Sequence, residues 1–209
     1  MAGCCSSPAP FLRRSSRSSS TPRRPPARGG TFSPGCRIPG PGLRPTPDRV
    51  RETLFNWLSA YIEGARCLDL FAGSGALTLE ALSRGAATAL SCDLSREVVE
   101  TLRGHLQTLQ CERGEVRQQD ALSLLASSPE TPFDVVFLDP PFHQDLLIPA
   151  CTALEANGWL SADALIYTES ETAPDRLPHP PNWQLHRQKK AGQVWYSLWQ
   201  RHETQALGV

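Results

Sequence analysis

Four consecutive residues, Asp139-Pro140-Pro141-Phe142, carry groups that suit one kind of chemistry. The Asp139 carboxylate and the Pro140 carbonyl both accept hydrogen bonds, as an exocyclic NH2 group requires. The Phe142 ring can stack on the planar base that bears it. Pro141 fixes the backbone, so the acceptors are aimed before any ligand arrives. The same string also reads as a strand ending in a proline-rich turn whose Asp caps the next helix, and only its surroundings separate the two.

A second constellation lies upstream, in Leu68-Asp69-Leu70-Phe71-Ala72-Gly73-Ser74-Gly75. Gly73 and Gly75 allow close backbone approach to a ligand, and the helix that follows presents unpaired N–H groups. A dinucleotide loop would want a third glycine where Thr78 stands, and a phosphate loop would need Gly-Lys-Ser/Thr. Asp69 suits a cationic amino group instead, as in the amino-acid part of S-adenosylmethionine. Asp93, followed by Leu94, ends the next strand about 20 residues beyond the glycines, where an acid accepts from ribose hydroxyls. Asp120, followed by Ala121, ends a third strand and can accept from an adenine amino group. Each acid alone is more often a cap or turn residue. Three at successive strand ends, with the glycine loop, favour a cofactor site built from Asp69, Phe71–Gly75, Asp93, Leu94, Asp120 and Ala121.

The elements that position these groups follow from hydrophobic period. Phe133–Leu138 is a glycine-free apolar run, hence a buried parallel strand whose carboxyl end must leave the sheet at the two prolines. Short strands are expected at Cys67–Leu70, Ala87–Cys92 and Glu115–Gln118, and a fifth at Ala164–Glu169. Val50, Leu54, Trp57, Leu58 and Tyr61 repeat at helical spacing behind Thr46, Pro47 and Asp48, which suit a helix start. Ser95 caps a helix that buries Val98, Val99, Leu102 and Leu106. A further helix over about 144–156 ends at Asn157-Gly158. Ala173–Pro181 is a loop, and Trp183–Lys189 with Gln193–Gln200 forms a hairpin about Ala191-Gly192. The expected fold is α/β: one doubly wound, mostly parallel sheet with an antiparallel C-terminal hairpin.

Charge is unevenly placed. Residues 1–44 hold eight arginines and no Asp, Glu or Lys, whereas the remainder has thirteen Lys and Arg against twenty-one acids. A basic arm on an acidic body points to a polyanionic partner. We expect a weakly ordered arm at 1–40, a catalytic domain at 41–202 and a tail at 203–209. The arm shares its Arg- and Ser-rich composition with organelle transit peptides but lacks their amphipathic period. Arg44, Arg49 and Arg51 are candidates for a phosphate backbone, with a solvated helix face nearly as good an account. Arg187, Lys189 and Lys190 read as a solvated turn. Seven cysteines without a Cys-x-x-Cys pair suggest reduced thiols, no zinc site and a cytoplasmic protein. No run is long enough to span a membrane.

The chain resembles the RsmD family of bacterial 16S rRNA (guanine-N2)-methyltransferases. The resemblance rests on Leu43–Leu58, with its Arg44-Pro45-Thr46-Pro47-Asp48-Arg49-Val50-Arg51-Glu52 string, and on Leu68–Gly75, Val135–Phe142, Asn157–Leu160 and Lys190–Val194. It implies a Rossmann-like class I methyltransferase of seven strands that uses S-adenosylmethionine to methylate N2 of a guanine in small-subunit rRNA. By resemblance, Asp69 and Ala72–Gly75 hold the methionine part, Asp93 the ribose, Asp120 the adenine and Asp139–Phe142 the base. The partner implied is 16S rRNA within a small-subunit particle, with no metal, and a monomer is expected. The family's basic opening hairpin is matched only by Gly29-Gly30-Thr31-Phe32 and Arg37-Ile38-Pro39. On the residues alone, the target amine of adenine or cytosine, an inactive RNA-binding assembly protein and a small-molecule methyltransferase all stay open.

Overall fold

The computed structural model describes residues 48–142 and 144–202. The basic arm, Arg44, the Thr46 cap and the 203–209 tail lie outside them. Seven strands, β1 (Arg66–Asp69), β2 (Thr88–Asp93), β3 (Gly114–Gln118), β4 (Phe133–Leu138), β5 (Leu160–Ser170), β6 (Trp183–Ala191) and β7 (Val194–Arg201), form one sheet in the order β3-β2-β1-β4-β5-β7-β6. Strands β1 to β5 run parallel, and β7 is antiparallel to both β5 and β6. This is the expected architecture, and the strand order reverses between β1 and β4. In open α/β sheets the ligand crevice lies at such a reversal, outside the carboxyl ends of the strands.

Both faces are covered. Helices α1 (Asp48–Trp57), α2 (Ala76–Ser83) and α3 (Arg96–Thr108) bury their apolar stripes on one face, against Cys67, Ala89, Val135 and Phe137. Helices α4 (Ala121–Leu125) and α5 (Leu147–Ala156) cover the other, against Leu68, Leu90, Val136 and Ile166. Alternate residues of each strand therefore serve opposite layers, which is why these strands read as continuous apolar runs.

Three expectations shift in detail. Helix α1 ends at Trp57, and the chain then turns so that the Ile62 amide donates to Leu58 O at 3.0 Å. The turn rotates Ile62 into the core and leaves Tyr61 45% exposed, its ring edge-on to His186. Strand β5 starts at Leu160 rather than Ala164 because a register shift between Phe133 and Val135 lets it pair early. The hairpin turn is centred on Gly192-Gln193, with Ala191 opposite Val194 and φ of +63° at Gly192. A left-handed first turn residue matches the twist of the strands it joins.

The sheet's far edge is tied to α5 through one carboxylate. Glu155 accepts from Arg201 Nε and Nη2 (3.0 and 2.8 Å), Trp183 Nε1 (3.0 Å) and Asn182 Nδ2 (2.9 Å). Truncation would strand an indole N–H, an amide and a half-buried guanidinium together. Glu155→Ala should therefore lower the unfolding free energy by about 2–3 kcal/mol in urea titrations.

Candidate active site

The glycine loop is held from below. Asp69, the last residue of β1, is 2% exposed, and its Oδ2 accepts from Thr78 Oγ1 at 2.7 Å. Thr78 in turn lies 2.7 Å from Ser91 Oγ. A hydroxyl has one proton, so with Thr78 donating to Asp69, Ser91 donates to Thr78. Thr78, which displaces the third glycine of a dinucleotide loop, is thus the residue that fastens α2 to β1. Burial raises the Asp69 carboxyl from an ordinary 3.8 to about 6, with Asp93 adding to the rise. Hydrogen bonds from Thr78 and the Phe71 amide oppose it.

Asp93 holds the loop from the side. Its Oδ2 accepts from the Gly73 amide at 3.0 Å and its Oδ1 from the Ser95 amide at 2.8 Å. One carboxylate so joins the glycine loop to the start of α3, which Ser95 caps through the Val98 amide. Gly75 adopts φ of +74°, and a Cβ built there would lie 2.3 Å from the buried Leu102 of α3. Any side chain would combine left-handed strain with that clash. Beside Asp93, Leu94 is 67% exposed, the highest value among the large apolar side chains of the described residues. Such a surface suits the face of a flat ring. The Gln119 amide donates to Asp93 O at 3.1 Å, which brings the ends of β2 and β3 together. Asp120 then caps α4 through the Ser123 amide at 2.8 Å, with Ala121 buried behind it.

Across the crevice, Asp69 is in register with Phe137, so the chain reaches Asp139 two residues beyond the base of the glycine loop. Asp139 is half-buried, Pro140 buried, Pro141 exposed and Phe142 half-buried. The fold thus brings Asp69, Phe71–Gly75, Asp93, Leu94, Asp120 and Ala121 together along one rim and sets Asp139–Phe142 on the next strand end. Of the three arginines, Arg49 is exposed on α1, Arg51 bonds Asp48 at 2.8 Å, and Arg44 lies outside the described residues.

Two polar residues of β5 were not singled out by sequence. The Tyr167 hydroxyl donates to Glu169 Oε1 at 2.7 Å, and both are buried at the strand end next to Asp139. Burial first, then the negative charges of Glu169 and Asp139, hold this phenol well above 10, so it stays a neutral donor. The available signal was a polar pair, Thr168-Glu169, closing an apolar run. Burial also pushes the thiols of Cys67, Cys92 and Cys151 up to about 12, which leaves them without nucleophilic character. Among the described residues there is no group of three or more metal-ligating side chains, and no helix is long and apolar enough to cross a membrane.

A mixed seven-stranded sheet with a glycine loop after β1, acids ending β1, β2 and β3, and Asp-Pro-Pro-Phe after β4 defines an S-adenosylmethionine-dependent methyltransferase of the Rossmann-like class. The fold is shared with an RNA methyltransferase from Salinibacter ruber solved with S-adenosyl-L-homocysteine, at TM-score 0.58 and 16% identity over 79% of this chain and 98% of that one. Closer likenesses go further than the fold. A family model described as conserved hypothetical protein 95 matches residues 36–200. Ribosomal RNA small subunit methyltransferase D of Escherichia coli K12 is 54% identical over 170 residues, 80% of this chain and 85% of that protein. The solved yhhF structure from Escherichia coli superposes with a TM-score of 0.74 at 52% identity, covering 81% of this chain and 94% of that one. The chain belongs to this methyltransferase D family.

Asp69 carries a measurable cost. Its raised value means that the folded protein binds more protons than the unfolded chain between about pH 4 and 6. Stability from this group is therefore greatest below pH 4 and falls, by about 3 kcal/mol, as pH rises through 6. Asp69→Asn should be more stable than the parent at pH 7 by about 1–3 kcal/mol. Urea unfolding at pH 7 and below pH 4 checks this, with the difference expected to vanish in acid.

Proposed function

We propose that this protein transfers a methyl group from S-adenosylmethionine to the exocyclic N2 of a guanine in 16S rRNA, within a small-subunit particle. The observation that carries the reading is the seating of Asp139-Pro140-Pro141-Phe142 at the end of β4, next to the glycine loop across the reversal of strand order. The family's 54% identical member, named for small-subunit rRNA methylation, supports the substrate class.

The residues present fit the cofactor. Asp69 offers a carboxylate to a cationic amino group, and Gly73 and Gly75, at φ of +49° and +74°, let the loop turn tightly past it. Asp93 engages two amides, and its carboxylate oxygens retain lone pairs for ribose hydroxyls. Leu94 and Ala121 flank the place of the adenine, and Asp120 accepts from its amino group. When bound, the cofactor supplies a methyl group on a sulfonium, already activated for displacement.

The chain's own residues do the positioning. The guanine is turned out of its stack, at a cost of a few kcal/mol, and its ring rests on Phe142. Asp139 and the Pro140 carbonyl accept from the N2 amino group, which orients the nitrogen lone pair. They also stabilise the positive charge that develops there as the new C–N bond forms. The proton then leaves to Asp139 or water. Holding two reactants in line supplies most of the rate. The amine is itself the nucleophile, in keeping with the inert buried thiols. We assign this work to a domain spanning 41–202, flanked by a basic arm at 1–40 and a short tail at 203–209, acting as a monomer in the cytoplasm. Arg44, Arg49 and Arg51 would meet RNA phosphates.

Labelled S-adenosylmethionine, purified protein and small subunits from cells lacking this methylation provide the test. Label should appear in N2-methylguanosine on nucleoside analysis. Asp139→Ala should lower transfer at least a thousandfold while cofactor affinity changes less than threefold. Label in methylated adenosine or cytidine instead would refute the guanine assignment, and equal loss of binding and transfer would make Asp139 structural. Cofactor binding should also depend on pH. Because Asp69 must ionise to meet a cation, affinity should fall up to tenfold per unit as pH drops below about 6, as calorimetry would record.

A further inference from the structure

On the sheet face that α4 and α5 cover, the edge beyond β5 carries an open groove of about 820 Å3. Its floor is Trp199 and its wall Trp195, with Gln188 and Lys190 of β6 on one side and the loop residues Glu171, Asp175 and Arg176 on the other. A cleft of this volume falls in the range that accepts a ligand of nucleotide size, roughly 300–1,000 Å3.

Three features identify its occupant. Lys190 and Trp195 are cross-strand partners, and the ammonium lies 5.2 Å from the centre of the half-buried indole. Aromatic platforms next to a cation suit a base with its phosphate. From Arg176 to His202 the chain contains no Asp or Glu but has Arg176, Arg187, Lys189, Lys190 and Arg201. Arg201 is engaged by Glu155, Arg176 and Lys190 line the groove, and Arg187 and Lys189, paired with Leu198 and Tyr196, are exposed on the other face of the same edge strand. A basic hairpin on an otherwise acidic domain is the charge complement of nucleic acid. The groove also lies at the same carboxyl edge of the sheet as the candidate active site. It begins at Glu171, just past the β5 strand end, where Thr168 is in register with Leu138, the residue before Asp139.

We propose that this groove binds single-stranded RNA flanking the methylated nucleotide, one base stacking on Trp195 and the backbone passing Lys190 and Arg176. The proposal rests on the rRNA reading above. It assigns Lys190 to RNA contact where sequence alone suggested a solvated turn. Stacking tolerates any base, so the groove contributes affinity and path rather than sequence choice.

The experiment compares the full-length protein with Trp195→Ala, Trp195→Phe and Lys190→Gln, each first shown to unfold at the parental temperature. With undermethylated small subunits, Trp195→Ala should raise KM about tenfold with most of the loss in KM rather than kcat. Trp195→Phe should recover most of that loss, and Lys190→Gln should lower the slope of log KM against log salt by about one. Unchanged KM in Trp195→Ala, with Asp139→Ala inactive, would overturn the groove and leave the methylation reading standing. If the parent methylates no RNA, direct binding of a fluorescent single-stranded oligoribonucleotide decides. Weaker binding by Trp195→Ala would support the groove without the reading, and equal binding would refute both. A parent that self-associates in light scattering, and that Trp195→Ala makes monomeric, would show the groove to be a contact between copies and overturn the proposal.

Discussion

The site depends on a carboxylate kept where water cannot reach it. Asp69 ends the central strand, and everything above it is fastened to its two oxygens or to their neighbours. Thr78 brings in α2, Ser91 brings in β2, and the Phe71 amide fixes the first bend of the loop. Taking this charge out of water opposes folding, and the hydrogen bonds return only part of the loss. On the function proposed above, a cation at the loop would tip this balance, so ligand occupancy would be coupled to the rigidity of the loop.

A second constraint is the division of labour between the sheet's two faces. Odd members of β1 pack under α2 and α3, even members under α4 and α5. Asp69 inherits the first face and so meets Thr78, whereas Leu68 and Leu70 carry the hydrophobic load of the second. Shifting the strand by one residue would exchange those assignments and put the acid among Leu124, Leu125 and Leu154. On β5 the same alternation sends Thr168 to the Trp199 indole, 3.0 Å away, and Tyr167 with Glu169 to the α1 side.

Much of this was legible in the sequence because the strongest local signals coincide with the ligand-facing ends of strands. Prolines after Phe133–Leu138 had to stop a ladder, glycines after Cys67–Leu70 had to turn one, and Ser95 had to cap. Periodicity failed at Tyr61 because a turn breaks the helical phase there, so a residue on the apolar stripe by count is on the surface by geometry. It failed again at Leu160–Asp163, where Leu160 pairs with Phe133 of β4 and Ser-Ala-Asp bulges between that pair and the next. Thr78 read only as a missing third glycine, and Ser91 as one small polar residue in a strand. Their value comes from meeting across two elements, which spacing in one dimension does not reveal. The groove under Trp195 was invisible for the same reason, since its walls come from a loop and two strands.

The insertion of β7 between β5 and β6 has a consequence for how the molecule is made. Tyr196 of β7 stacks on Trp57 of α1 at 5.7 Å, so the first described helix and the last strand are neighbours. During vectorial synthesis, α1 emerges well before this partner, which follows all the other strands of the sheet. β5 likewise presents an unpaired edge until the hairpin returns. The nascent half-sheet is thus a temporary template for strand pairing with other chains until the β6–β7 hairpin folds back onto β5.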